Sequence, residues 1–389
     1  FSEIVLYCPA CVCTVITAEN DNEGSLRDAV QKANNATCGT INFAITPDED
    51  LPNVITLTEE LPVIVNPIII DGTSERGSVD YSISPAIQLV DGGNLTYGVS
   101  IAASNVEINN LMFDGFNQAL TIGGSNNEVI GNTIINSRDN NIALVGNGNR
   151  VVGNSINQTP EGQQMIDANN TSAIAIEISG SSNQIGTETF KNEIQGFGSA
   201  SVAVTGGINN RIIYNEISSL IEDESDGYKA ILHQNSGNEN YPTPVITGYT
   251  DEGTHMRISG TSQAVGDMIQ IFLSGLRPEQ ASKFLVEIPS ITDKSWAINL
   301  PTDYYFPNEN IFITTTATSA SGNTSELTVP YLVGDQPLVC LVTNTDNSGE
   351  GSFREAVACV NAAGDFFNSP AEIRYDMPSG VQRVYPTSG

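Results

Sequence analysis

The sequence predicts an all-β chain. Its first part is a right-handed parallel β-helix with a short helical N-terminal cap, followed by an Ig-like β-sandwich and the start of a second cap and β-helix unit. Three observations lead there. A phrase recurs through residues 99–218: Asn105, Asn127 and Asn149 open it at intervals of 22, and Asn210 opens it again. Within each phrase short aliphatic runs alternate with period two, so that Leu120 and Ile122 map onto Ile142 and Leu144. Such strands are too short and too β-branched for helices, and a period near 22 with two or three strands per turn is the mark of a stacked solenoid. Finally, residues 13–34 and 340–361 are one motif used twice at an offset of 327, with Cys13 on Cys340, Gly24 on Gly351 and Arg27 on Arg354.

Taken in order, residues 1–50 read as the cap and first coil. Ser25–Asp28 and Ser352–Glu355 carry capping-box spacing at a helix start. Leu26, Ala29, Val30 and Ala33 then form one apolar face, suited to covering the open end of a solenoid. Residues 51–240 read as the β-helix. Asn110, Asn132, Asn154 and Asn215 recur in their turns and are expected to form a structural asparagine ladder, since Asn tolerates corner backbone and stacked amides bond to each other. Residues 158–172 and the acidic 219–229 interrupt the period as loops. Tyr241–Pro244 is a stiff linker, and 241–334 reads as the sandwich, with Trp296, Ile298 and Leu300 alternating into its core. Residues 335–389 restart the cap motif.

Fifteen Lys and Arg stand against 45 Asp and Glu, a formal net charge of −30. Phosphate contacts need clustered basic residues, so nucleic acid is excluded as a partner. No stretch is apolar and long enough for membrane insertion. Residues 1–13 lack the basic start of a signal peptide, and the chain is expected to begin inside a longer protein. No cofactor is expected. Loop 219–229 offers carboxylates for a weak Ca²⁺ site at most, fits no EF-hand spacing, and reads better as a solvated loop.

Six cysteines occur. Cys8-Pro-Ala-Cys11 has metal or redox spacing, but no His and no second such pair accompany it, so structural disulfides in an oxidising compartment are the better reading. Cys340 and Cys359 stand apart and form the clearest pair; Cys13 with Cys38 is the analogous one, which leaves Cys8 for Cys11.

The marks Gly24-Ser-Leu-Arg27 and Gly351-Ser-Phe-Arg354, Asn127–Asn132 and Asn149–Asn154, Thr316-Ala-Thr318 and Gly322–Glu326 together resemble repeat units of very large bacterial cell-surface adhesins, similar to the gliding-motility adhesins of Bacteroidota. That resemblance implies export to the cell surface by the type IX route, a role in adhesion or gliding, and neighbouring repeat units, surface glycans or solid surfaces as partners.

Parallel β-helices also host polysaccharide lyases and glycosidases. A lyase needs a base beside carboxylates, and the coils offer only Arg138, Arg150, Lys191 and Arg211. A glycosidase needs paired carboxylates on one face, about 5–10 Å apart. Neither constellation is legible, Asn344-Thr-Asp346 lies in the second cap, and His233 and His255 read as unrelated surface residues. The expectation is therefore an extracellular stalk or filament segment that is not an enzyme. The alternatives are a β-helical polysaccharide lyase or glycosidase, and a filament subunit that assembles through its cap motifs.

Overall fold

The computed structural model describes residues 11–45, 52–75, 85–159, 162–163, 174–196, 198–219, 228–252, 255–274, 280–291, 293–301, 311–333, 338–349, 351–362 and 371–375. The chain forms two units, residues 1–242 with 317–326, and residues 243–316 with 327–389.

The first unit is a right-handed parallel β-helix of three sheets. One sheet stacks β1 (Val12–Val15), β2 (Thr40–Phe43), β4 (Ile69–Asp71), β7 (Glu107–Asn109), β10 (Glu128–Ile130), β13 (Arg150–Val152), β16 (Gln184–Ile185) and β19 (Arg211–Ile212). The second stacks β3 (Asn53–Leu57), β5 (Ile87–Asp91), β8 (Leu111–Asp114), β11 (Thr133–Ile135), β14 (Ser155–Ile156), β17 (Glu193–Gly196) and β20 (Glu216–Ser219). The third stacks β6 (Tyr97–Ile101), β9 (Gln118–Ile122), β12 (Ile142–Leu144), β15 (Ile174–Ile178), β18 (Ala200–Val204) and β21 (Lys229–His233).

Parallel pairing in register lines up like residues from turn to turn. Ile41, Ile70, Ile108, Val129, Val151, Ile185 and Ile212 form one inward column, each at most 2% exposed. Each such side chain contributes about 1.5–3 kcal/mol of burial, which is why strands of two to five residues suffice here.

Two asparagine ladders run along the coil. In one, Asn132 N–H donates to Asn154 Oδ1 and Asn154 N–H to Asn192 Oδ1, while Asn192 Nδ2 donates to Asn215 Oδ1. In the other, backbone N–H groups of Asn127, Asn149, Asn183 and Asn210 donate to Oδ1 of Asn149, Asn183, Asn210 and Asn238 in turn. Asn110, expected as a rung, is not one. The step from β7 to β10 is 21 residues, not 22 (Glu107 faces Glu128), so Leu111 takes the place opposite Asn132. Asn110 sits instead at the left-handed corner (φ 53°), in line with Gly131 and Gly153. A glycine column also marks the coil: a Cβ on Gly124, Gly146 or Gly180 would stand 1.7, 1.8 or 1.9 Å from a carbonyl oxygen of the preceding turn.

The N-terminal cap is helix α1 (Leu26–Asn34). Ser25 Oγ accepts from Asp28 N–H while Asp28 accepts from Gly24 N–H, a capping-box arrangement whose return bond falls one residue before the N-cap. Lys32, one turn on, bonds to Asp28 and holds its carboxyl below the usual range. Arg27 donates to the carbonyls of Glu59 and Glu60, and Asn66 reaches the carbonyls of Ala33 and Asn34, so helix and first coil are tied by side chains. Cys13 is bonded to Cys38 with Cα atoms 5.8 Å apart. Cys11 is also oxidised, and Cys8 lies outside the described residues.

The far end of the solenoid holds the main departure from the expected boundaries. Residues 317–326, read as sandwich, belong to the solenoid unit. Thr324 Oγ1 accepts from Ile212 N–H, its carbonyl accepts from Asn238 Nδ2, and Asn323 donates to Glu239. Glu326 accepts from Lys229 Nζ at 2.8 Å and from His233 N–H at 2.7 Å. The hairpin thus satisfies polar groups that the last coil would leave unpaired, as a terminal cap must.

The second unit contains two antiparallel sheets. One is β22 (Val245–Asp251), β23 (His255–Thr261) and β26 (Ser295–Pro301); the other is β25 (Lys283–Pro289), β24 (Met268–Ser274), β27 (Ile311–Thr318) and β28 (Tyr331–Val333). The last two residues of β27 already belong to the solenoid unit. Trp296 and Leu300 are 1% and 3% exposed. The cap motif follows: β29 (Leu338–Val342), helix α2 (Phe353–Ala362) and β30 (Ala371–Tyr375), with β29 parallel to β30. Ser352 accepts from Glu355 N–H and Glu355 from Gly351 N–H, repeating the first capping box. Cys340 bonds Cys359, Cα atoms 6.0 Å apart. The two bridges differ: Cys359 lies on α2, whereas Cys38 lies beyond α1.

Candidate functional site

Outward positions of the coil carry its chemistry. Because the side-chain period of a strand is two, the residue before each inward aliphatic points away from the core of the coil. On the second sheet this file runs Gln88, Met112, Thr133, Ser155, Glu193, Glu216, set by the inward neighbours Ile194 and Ile217; Met112 and Thr133 are covered, and the file opens to solvent at Glu193. Glu193 and Glu216 face each other on adjacent strands although a whole coil of chain separates them, which sets them about 4.8 Å apart at the backbone.

The two carboxylates have different surroundings. Lys191 Nζ lies 2.9 Å from Glu216 Oε1. Glu193 Oε2 accepts from Gln158 Nε2 at 3.2 Å. Glu193 is exposed at the start of its strand, and partial desolvation first and the charge of Glu216 second push its carboxyl above the usual range, against the pull of Lys191. One member of the pair is thereby biased toward the acid form beside a second that has a cationic partner. A paired-carboxylate site of this kind was not legible, since it depends on which strands become neighbours after the loop at 158–172. That loop lies mostly outside the described residues, as does most of 219–229.

The other sequence candidates are dispersed. Arg138 donates to Asp91 at 2.6 Å and to Asn94, at a corner where Asp91 also accepts from Gly93 and Leu95 N–H. Burial opposes ionisation of Asp91, but these bonds together lower its carboxyl. Arg150 pairs with Glu128 on the first sheet at 2.6 Å. Arg211 packs beneath Gly322.

His233 is not the surface residue expected. It takes the inward place after Ile178 and Val204, its Nε2 has no hydrogen-bond partner among the described residues, and burial lowers its pKa against the pull of Glu326 and a bond to the Thr324 backbone. His255, in the second unit, pairs with Glu252 at 2.9 Å. Among the described residues no group of three or more His, Cys, Asp or Glu could hold a metal, and no helix is long and apolar enough to cross a membrane.

No protein-family model matches the chain, and no curated protein does. Solved structures with a similar fold include the enzymatically active domain of bacteriophage CBA120 tailspike protein 2, at 9% identity over 76% of this chain and 66% of that one, TM-score 0.26. Full-length tailspike protein 2 of an Escherichia coli O157:H7 bacteriophage is similar at 10% identity over 75% and 58%, TM-score 0.24. The cell-surface-expressed, multi-modular chitinase ChiW of a Paenibacillus species is similar at 11% identity over 79% and 25%, TM-score 0.21. The chain thus spans less than two thirds of each of these proteins, and at such scores the likeness is one of β-helical fold alone. The expectation that the chain is not an enzyme is corrected: it rests on the lack of paired carboxylates on one face of the coil, and the strand register brings Glu193 and Glu216 together there.

Proposed function

We propose that this chain is an extracellular β-helix that engages glycans and hydrolyses them at Glu193 and Glu216. The observation that carries the reading is the stacking of these two carboxylates on adjacent strands, one lifted by partial desolvation and one paired with Lys191. Retaining glycosidases hold their two carboxyl groups about 5–5.5 Å apart, and pairing on neighbouring strands brings these two side chains onto one face at adjacent positions. Glu193 donates its proton to the glycosidic oxygen as that bond breaks, and the Glu216 carboxylate bonds to the anomeric carbon. Water then displaces Glu216 and returns its proton to Glu193. The disulfides fit an oxidising, extracellular setting.

The test is reducing-end release from a panel of neutral and acidic polysaccharides, with product anomers followed by NMR. The wild type should release ends with retained configuration, and Glu193→Gln and Glu216→Gln should each lose at least ~100-fold. Release by both variants at the wild-type rate, or none by the wild type, overturns the reading.

A separate observation favours a second role. The strand, capping box, helix and disulfide of the N-terminal cap recur at residues 338–375. We infer a tandem unit of a longer cell-surface protein, as the resemblance to gliding adhesins implies, with neighbouring units, surface glycans or solid surfaces as partners. Electron microscopy of native material should show rods with a repeat of about one such unit; isolated particles of this chain's mass would refute it.

A further inference from the structure

Three residues before Glu193 in the chain is an exposed aromatic side chain that the hydrolytic chemistry does not use. Phe190 is 46% exposed, three residues before Glu193, so their Cα atoms lie within about 11 Å by chain reach alone. A single exposed apolar side chain needs no explanation. This one, however, is held. Its N–H donates to Thr187 Oγ1 at 3.0 Å, and its carbonyl accepts from Thr187 N–H at 3.1 Å and Gly153 N–H at 3.2 Å. The turn 187–190 is therefore pinned both to itself and to the preceding coil. Gly153 leaves room beneath: a Cβ there would meet Phe190 Cβ at 3.5 Å and Cδ1 at 3.7 Å. The ring is thus exposed and lies over main chain, and the backbone that carries it is fixed before any ligand arrives, which lowers the cost of ordering it.

We infer that Phe190 is the stacking platform of a sugar subsite next to Glu193 and Glu216, and that its ligand is a neutral glycan chain. The inference rests on the proposed glycan reading and adds the substrate class. Pyranose rings have an apolar C–H face that packs on an aromatic surface, with hydroxyls at the rim for polar neighbours. Uronate chains would meet Glu188, Glu193 and Glu216 on a chain of net charge −30, with Lys191 already bonded to Glu216, and like charge excludes them.

The experiment places a reporter at the site. Phe190→Trp keeps an aromatic platform and adds an exposed indole, while the native Trp296 is 1% exposed and gives a constant background. The probes are neutral hexaoses of glucose and of N-acetylglucosamine, and hexagalacturonic acid. A saturable change in the emission of the introduced indole with a neutral hexaose and not with the uronide is expected, and Phe190→Ala should weaken binding of the same hexaose about tenfold or more by calorimetry. No response to either neutral hexaose, or a response to the uronide alone, overturns the subsite. Assaying hydrolysis of the same hexaoses by Phe190→Trp, which keeps Glu193 and Glu216, alongside the titration separates the two proposals. A response without any hydrolysis supports the subsite while the hydrolytic reading fails, and hydrolysis without a response sinks the subsite alone.

Discussion

Asn154→Ala tests how much of the solenoid's stability is held in a single rung. The side chain is 1% exposed. Its Oδ1 accepts from Asn132 N–H at 2.9 Å and Asn132 Nδ2 at 3.1 Å; its Nδ2 donates to Val129 O, Val152 O and Asn192 Oδ1 at 3.0–3.1 Å. Some of these partners are not stranded by the change. Val152 O keeps Gly131 N–H, and Asn192 Oδ1 keeps the Asn154 N–H. Asn132 N–H loses its acceptor inside the coil, at about 1–3 kcal/mol, and the remaining lost bonds add about 1 kcal/mol. The expected loss is therefore about 3 kcal/mol. The outward-facing Thr121→Ala is the control and should stay within about 0.5 kcal/mol. Urea unfolding followed by far-UV circular dichroism reads mainly the solenoid, while fluorescence of Trp296, in the other unit, should not shift its midpoint. A loss under about 1 kcal/mol, or equal shifts by both probes, would refute a rung that supports its neighbours through amide bonds.

Other expectations follow from single contacts. Gly146→Ala drives a methyl to 1.8 Å from the Gly124 carbonyl oxygen, and main chain cannot yield; a cost above about 3 kcal/mol, seen as a lowered urea midpoint or insoluble product, is expected. Cys13→Ser opens a bridge of sequence separation 25, worth about 3.5 kcal/mol on chain entropy, and the melting temperature of the variant should no longer respond to reductant at that cap. Acid should loosen the far end of the coil. His233 has a pKa lowered from 6.5, so the folded state prefers the neutral ring. Its contribution is intact above pH 6.5 and is lost as pH falls below 6.5 toward the lowered value. His233→Leu extends the aliphatic column and should flatten the melting temperature between about pH 7 and 5; an unchanged slope would place the effect elsewhere. Glu326, held low by Lys229 and the His233 N–H against the pull of burial, loses its contribution only below pH 4.5, which keeps the two windows apart.

The fold was legible because its signal is local. The alternation around Leu120 and Ile122 returns one coil later at Ile142 and Leu144, and the register matches them. What escaped the sequence depended on irregular steps. Asn183 and Asn192 are rungs, but the loop after Gln158 puts them 34 and 38 residues beyond their predecessors Asn149 and Asn154, so no fixed period finds them. Asn110 was misplaced for the opposite reason, a step one residue short. The same loop hid the approach of Glu193 to Glu216. The role of Gly322–Glu326 could not be read at all, since its partners Ile212, Lys229 and His233 lie some 93–112 residues upstream.

That hairpin has a consequence for how the protein is made. A ribosome delivers residues 1–242 first, and a coil can grow turn upon turn behind it, each new strand docking on the last. The end of the stack then waits, its edge groups bare, until the stretch 243–316 of a different unit has emerged. Only then does the chain double back to close it. Closure over so long an interval is slow relative to the zippering of adjacent turns, and it makes completion of the rod contingent on a neighbour downstream. A nascent chain stalled before residue 326 should remain sticky at the last coil, and one that has delivered the hairpin should not.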